Sequence, residues 1–196
     1  MEAAGPTRPR LILASASPQR YVLLERIGIT PDRILNPGID ESPLPAELPR
    51  HCAERLARAK AAAVTEPDGF VLAADTVVAA GRRMLPKAET PEQALSCMNL
   101  LSGRRHRVIT AVVLTAPGGK RSERVVESVV GFARLTGPQK QWYLDSGEWQ
   151  GKAGGYAIQG RAASFIRFIS GSYFNVVGLP LFETAQLLRG LGWPMP

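Results

Sequence analysis

Cysteine and histidine are scarce in this chain, two of each in 196 residues, and neither type is clustered. Cys52 and Cys97 stand alone without C-x-x-C spacing, which leaves two reduced thiols in or near the core rather than a disulfide or a metal site. His51 and His106 form no H-E-x-x-H, so no zinc constellation can be built from them. Long apolar runs are also missing, and nothing approaches the roughly 20 residues of a membrane helix. The opening MEAAGPTRPRLILASASP sets arginines before only four apolar residues, too few for a signal-peptide core. These absences predict a cytoplasmic protein with no membrane partner. Repeats, low-complexity tracts and obvious linkers are absent too. The expected organisation is a flexible segment over 1–9 and a single domain over 10–196.

What is present is ordinary globular material, 45% hydrophobic and 21% charged, enough for one sizeable core. The formal net charge of +7 implies anionic partners, either nucleic acid or phosphorylated small molecules. The basic residues are scattered, as in GRRM, GRRHRV and KRSERVV, with no basic tail and no interleaved aromatics. That pattern favours phosphates in a pocket over stable nucleic-acid binding.

Periodicity predicts a strand over 11–15 and a helix over 18–27 that stops at Gly28. Residues 36–49 read as a proline-bounded loop carrying Asp40 and Glu41, and 49–64 as a helix with Cys52, Leu56 and Ala59 on one stripe. GFVLAADTVVAA (69–80) is a buried strand by its near-continuous apolar run, and GRRML a turn and short return strand. Thr90, Pro91 and Gln93 sign a capped helix start. HRVITAVVLTA and ERVVESVVGFARL flank PGGK as a long β-hairpin. A short helix (PQKQWYLDSG), a glycine-rich loop (GKAGGYAIQG), a strand (SFIRFI) and a closing helix complete an α/β domain with a mixed sheet flanked by helices.

Between the first strand and helix stand Ser15, Ser17, Pro18 and Arg20. Ser17 can cap the helix and Pro18 fits its first turn, so the exposed N–H groups there suit an anion. A plain capped helix with an exposed arginine explains the same residues. Asp75 interrupts a strand that otherwise wants to be dry. An unpaired buried carboxylate costs several kcal/mol, so it is either a structural Asp satisfied by backbone amides or a metal ligand or general base. Taken singly, Glu41 reads as a solvated loop residue, and Lys60 and Lys87 as surface lysines. APGGKRS fails as a P-loop, because Leu114 and Arg121 stand where Gly and Ser/Thr are needed.

In order along the chain, LASASPQRYVLL, DE at 40–41, RLARAKA, AADTVV, LPKAETPEQA, LLSGRRHRVITAV, GKAGGYAIQG and GSYFNVVGLPL resemble the Maf-type nucleotide pyrophosphatases. The resemblance extends from about Leu11 to the last helix. It implies an inosine-triphosphatase-like fold with a deep cleft. It also implies hydrolysis of nucleoside triphosphates to monophosphate and pyrophosphate, assisted by a divalent cation, Mg²⁺ or Mn²⁺. By the same resemblance Ser15, Ser17 and Arg20 grip phosphate, and Lys60 and Lys87 meet the phosphates. Asp75 is the general base and a metal ligand, with Glu41 as its acidic partner.

The chain departs from the family pattern twice. Gln19 replaces the first arginine of S-P-R-R and bears on the base accepted, and Pro86-Lys87-Ala88 replaces Gly-Lys-Pro. Thr76 and Gln159 resemble the branch acting on dTTP and UTP, where an amide can pair with a pyrimidine edge. Preference for 7-methyl-GTP is the alternative within the family. A non-catalytic nucleic-acid-binding or cell-division regulatory protein is the alternative outside it, and a homodimer is one expected assembly. Strand alternation sends Asp75 and Thr76 to opposite faces, so both reach one cleft only if the strand bends or ends after Asp75.

Overall fold

The computed structural model describes residues 8–195, and in them every run read above as a strand is one, with shifted bounds. The order begins β1 (Arg10–Ala14), α1 (Pro18–Glu25), β2 (Arg33–Leu35), α2 (Pro49–Ala62), β3 (Gly69–Ala80), β4 (Arg83–Leu85) and β5 (Lys87–Ala88). It continues through α3 (Pro91–Leu101), β6 (Arg105–Thr115), β7 (Arg121–Phe132), α4 (Gly137–Leu144) and β8 (Lys152–Ala153). It closes with β9 (Ile166–Ser170), α5 (Tyr173–Val177) and α6 (Leu181–Gly190). Four elements are not legible in the sequence, the two-residue β5 and β8 as well as β2 and α5. β2 has three residues and α5 five, each too short to show a period. Of the segment 1–9 expected to be flexible, residues 1–7 lie outside the described residues. Arg8 donates to both carboxylate oxygens of Asp32 and lies 5.3 Å from the Trp193 ring centroid.

The mixed sheet runs β2-β1-β3-β6-β7-β9, with β4 on β3. β1 is parallel to β2 and β3, while β3, β6, β7 and β9 are successively antiparallel. The hairpin β6–β7 is the one expected around PGGK. Local chemistry explains the helix starts. Thr90 and Gln93 form a complete capping box on α3, and Thr136 and Gln139 do the same on α4.

Period-2 alternation divides the core. Val71, Ala73 and Val77 of β3 pack with Cys52, Ala53, Leu56 and Ala57 of α2. Leu72 and Ala74 face the other way, towards Leu23 and Leu24 of α1 and Leu187 and Leu188 of α6. A further cluster joins Val78, Val108 and Val130 to Met98 and Leu101 of α3 and Tyr143 of α4. Each fully buried leucine contributes roughly 1.5–3 kcal/mol, so these clusters hold both faces of the sheet. The stripe expected on α2 needs one correction. Its buried line passes through Cys52 and Leu56 to Lys60, with Ala59 only half-buried, because helical residues four apart share a face.

Candidate active site

β1 pairs with β3 only as far as Ala14 opposite Ala73, and β4 takes up the same edge at Val78 opposite Leu85. Residues 74–77 of β3 therefore have β6 on one side and no strand on the other. A cleft of about 280 Å³ opens at this gap. Ser15, Ser17, Gln19, Arg20, Glu41, Lys60, Asp75, Thr76, Lys87 and Gln159 all line it. The bend expected after Asp75 is absent, since β3 runs unbroken through both residues. Their side chains do lie on opposite faces, and both border the cleft because it opens along the unpaired strand edge.

On the α2 face, ionic groups alternate in sign. Lys60 Nζ lies 2.6 Å from Asp75 Oδ1 and 2.6 Å from Glu41 Oε1, and Lys87 Nζ donates to Glu41 Oε2. The Lys60 and Asp75 side chains are only 6% and 7% exposed. Taken singly, Lys60 reads as a surface lysine. It is buried because it continues the apolar stripe of α2 onto the strand face that carries Asp75. Glu41 is not simply solvated either. Burial pushes its carboxyl up, but hydrogen bonds from Lys60 and Lys87 outweigh that and hold it at about 2. Lys87 is half exposed. Asp75 Oδ2 has no protein partner among the described residues, so one carboxylate oxygen is anchored and the other is open to a solvent molecule.

On the opposite face Arg20 is buried rather than exposed, at 7%. Its Nε donates to the Gly178 carbonyl at 2.9 Å, Nη1 to Ser15 Oγ at 2.9 Å and Nη2 to Thr76 Oγ1 at 3.2 Å. Burial lowers its pKa, and the charges of Asp75 and Glu41 pull the other way. A guanidinium stays protonated under such pressure, leaving one unused N–H on each terminal nitrogen for an anion. Ser17 stands at the N-cap position of α1, but its side chain does not cap the helix. Its hydroxyl donates to Gln19 Oε1 at 3.2 Å instead, so α1 has no side-chain cap, and the Ser17 amide itself donates to Ser15 Oγ at 3.1 Å.

Gln159 is exposed, and together with Gln19 it lines both the cleft and an adjoining recess with Val22, Leu23 and Tyr173. Two buried tyrosines anchor its loop. Tyr143 Oη accepts from the Ala157 amide at 3.0 Å, and Tyr156 Oη lies 2.7 Å from His106 Nε2. Lys152 also lines the cleft. Sequence reasoning passed it over, and its only signal was its place in the GKAGG run.

Glu41 and Asp75, the residues expected at a metal, converge on one point of positive charge, the Lys60 ammonium. Among the described residues no group of three or more His, Cys, Asp or Glu could hold an ion. Two carboxylates do suit a hard divalent cation that completes its shell with phosphate oxygens and water. Among the described residues no helix is long and apolar enough to cross a membrane.

Comparison with known proteins identifies the family. The Maf-like protein family model matches residues 10–191. The dTTP/UTP pyrophosphatase of Granulibacter bethesdensis is 58% identical over 93% of this chain and 93% of its own. The dTTP/UTP pyrophosphatase of Gluconobacter oxydans is 60% identical over 94% and 88%, and that of Caulobacter vibrioides 55% over 97% and 98%. Among solved structures, the Staphylococcus aureus Ham1 protein matches with a TM-score of 0.42 and 16% identity over 63% of this chain and 72% of its own. With its ordered motifs, its mixed sheet and relatives more than half identical over nearly their whole length, this chain belongs to the Maf-like protein family.

Proposed function

We propose that this chain is a nucleoside triphosphate pyrophosphatase that converts dTTP and UTP to the monophosphate and pyrophosphate. The observation that carries the reading is the alternating series Asp75–Lys60–Glu41–Lys87, which faces Arg20 across a cleft bordered by two amide side chains. The relatives named for that activity, at 55–60% identity, support it.

The chemistry follows from the groups present. Arg20, Lys60 and Lys87 offer positive charge to a triphosphate, and the Gln19 amide at the start of α1 adds to it. Asp75 is held by Lys60 through Oδ1, and Oδ2 is placed to take a proton from an attacking water. That water forms a bond to the α-phosphorus. The bond from the α-phosphorus to the bridging oxygen breaks, and its electron pair leaves on pyrophosphate. Negative charge grows on the phosphoryl oxygens in the transition state, and fixed cations stabilise it. Glu41 and Asp75 would hold Mg²⁺ or Mn²⁺, which when bound adds Lewis-acid stabilisation of the same charge. Gln159 and Gln19, which border the cleft, would meet the base edge. The reading includes a cytoplasmic enzyme without stable nucleic-acid binding, and a homodimer is checked by sedimentation.

The deciding experiment incubates purified protein and Mg²⁺ or Mn²⁺ with UTP, dTTP, ATP and 7-methyl-GTP in ¹⁸O-water and follows the products by ³¹P NMR. Label on the monophosphate and release of intact pyrophosphate are expected, with chelation stopping turnover. Release of orthophosphate would overturn the reaction type. A preference for 7-methyl-GTP would overturn only the base assignment. No turnover with salt-sensitive retention of nucleic acid would favour a binding protein instead.

A further inference from the structure

Two motifs remain without a role in this chemistry, HRVITAV around Thr110 and GSYFNVVG around Asn175. Thr110 and Asn175 are both 0% exposed, and polar groups so placed must be hydrogen-bonded or costly. Their bonds form a continuous series that begins at the cleft. Arg20 Nη2 donates to Thr76 Oγ1, Thr76 Oγ1 lies 2.9 Å from Thr110 Oγ1, and Thr110 Oγ1 donates to the Asn175 carbonyl at 3.2 Å.

The shorter contacts favour one direction, with Thr76 donating to Thr110 at 2.9 Å rather than to the Gly178 carbonyl at 3.5 Å. A guanidinium only donates and a backbone carbonyl only accepts. With Thr110 donating to the Asn175 carbonyl, it accepts from Thr76, and Thr76, its own proton spent, offers Arg20 lone pairs alone. The Asn175 side chain fixes the far end. Its Nδ2 donates to the Val108 carbonyl at 3.0 Å and to Ser128 Oγ at 2.9 Å, pegging α5 to β6 and β7. Ser128 Oγ is filled by a further donor, the Ser172 amide, and donates to the Ser172 carbonyl. The close seat needs Gly171, whose φ is +106° and where a Cβ would stand 2.8 Å from Ser128 Oγ. The helix so pegged ends at Gly178, whose carbonyl accepts from Arg20 Nε.

We propose that Thr110 and Asn175 are positioning residues for Arg20, together setting the direction and place of two of the three acceptors that orient its guanidinium towards the cleft. The inference rests on the proposed function for its catalytic consequence, but not for its geometry. Without the Thr110 hydroxyl, the remaining protein acceptor for Thr76 is the Gly178 carbonyl at 3.5 Å, which Arg20 Nε already uses. Thr76 then turns its hydrogen to that longer contact, and the lone pairs it offers Arg20 turn with it.

Thr110→Val keeps the shape and removes the hydroxyl, Thr110→Ser restores it, and Asn175→Ala removes the peg. In Thr110→Val, kcat/KM for UTP should fall about tenfold, the size of a charge-assisted bond loosened rather than lost. Thr110→Ser should recover most of it. Added to Arg20→Ala, Thr110→Val should cost nothing further, since its effect passes through the guanidinium. In ¹⁵N NMR the Arg20 Nε–H should exchange with water faster in Thr110→Val and Asn175→Ala than in the wild type. Unchanged kinetics and exchange in Thr110→Val would overturn the proposal. So would a serine variant as poor as the valine, or an equal loss in the Arg20→Ala background. A wild type without nucleotide turnover would defeat the proposed function, while the exchange measurement would still decide the positioning.

Discussion

The Lys60 ammonium lies 2.6 Å from Asp75 Oδ1, and both side chains are more than nine-tenths buried. Removing either partner of such a pair strands the other in a medium that solvates charge poorly. Glu41 shares the same ammonium at 2.6 Å, so the interior charge is balanced by three groups rather than two. That third group makes the roles separable by mutation.

Asp75→Asn should keep the fold and lose the reaction. The amide still accepts from Lys60, and Glu41 still balances the ammonium, so stability should fall by only about 1–3 kcal/mol. Turnover of UTP should fall roughly 10²- to 10⁴-fold, the usual worth of a general base. Steady-state rates measured beside thermal melts separate the two effects. Near wild-type turnover would show that Asp75 is a structural carboxylate.

Glu41 makes stability depend on acid. Its folded pKa is held at about 2, below the ordinary 4.5, so its contribution is complete above 4.5 and is lost as pH falls from 4.5 towards 2. Urea unfolding of wild type and Glu41→Gln should differ most at neutral pH and converge by about pH 2. A difference that grew as pH fell would reverse the assignment.

His106 acts over a higher window. Burial pulls its pKa down from 6.5 to about 4, and Nδ1 has no partner among the described residues, so the folded ring stays neutral. The unfolded chain binds a proton there first. The stabilising term is full above pH 6.5 and disappears as pH falls through about 4, a loss of roughly 3 kcal/mol. His106→Gln, which can still bond Tyr156, should flatten the stability slope between those limits. An unchanged slope would show that the ring charges within the fold.

Gln159 should matter for the base and little for the fold, being exposed and free of hydrogen bonds to other described residues. Gln159→Ala should lower kcat/KM for dTTP and UTP by about 1–3 kcal/mol in transition-state terms, and less for ATP. A panel of triphosphates, with 7-methyl-GTP included, measures the difference. Equal losses on every nucleotide would make Gln159 a phosphate or loop-ordering residue.

Much of the framework was legible because its physics is local. The capping box at Thr90, the hairpin around PGGK and the dry run 69–80 each announce themselves within a dozen residues. Four elements of only two to five residues, β2, β5, β8 and α5, did not. Read alone, Lys60 is a surface lysine, although the Cys52–Leu56 stripe already aims at it. Ser17 was read as a cap from its type and place, and its side chain turns to Gln19 instead.

The sequence by itself determined the longer elements, the polar residues set into apolar runs and the ordered motifs that mark the family. Tertiary structure alone decided that β1 stops at Ala14 and β4 begins opposite Val78, so that β3 keeps an open edge where Asp75 and Thr76 meet one cleft. It also decided that Lys60 lies against Asp75, fifteen positions away, and that Arg20 is tied to Gly178, 158 positions away. Periodicity and capping depend on neighbours a few residues apart, whereas charge pairing and burial depend on distance in space, which exists only once the chain has folded.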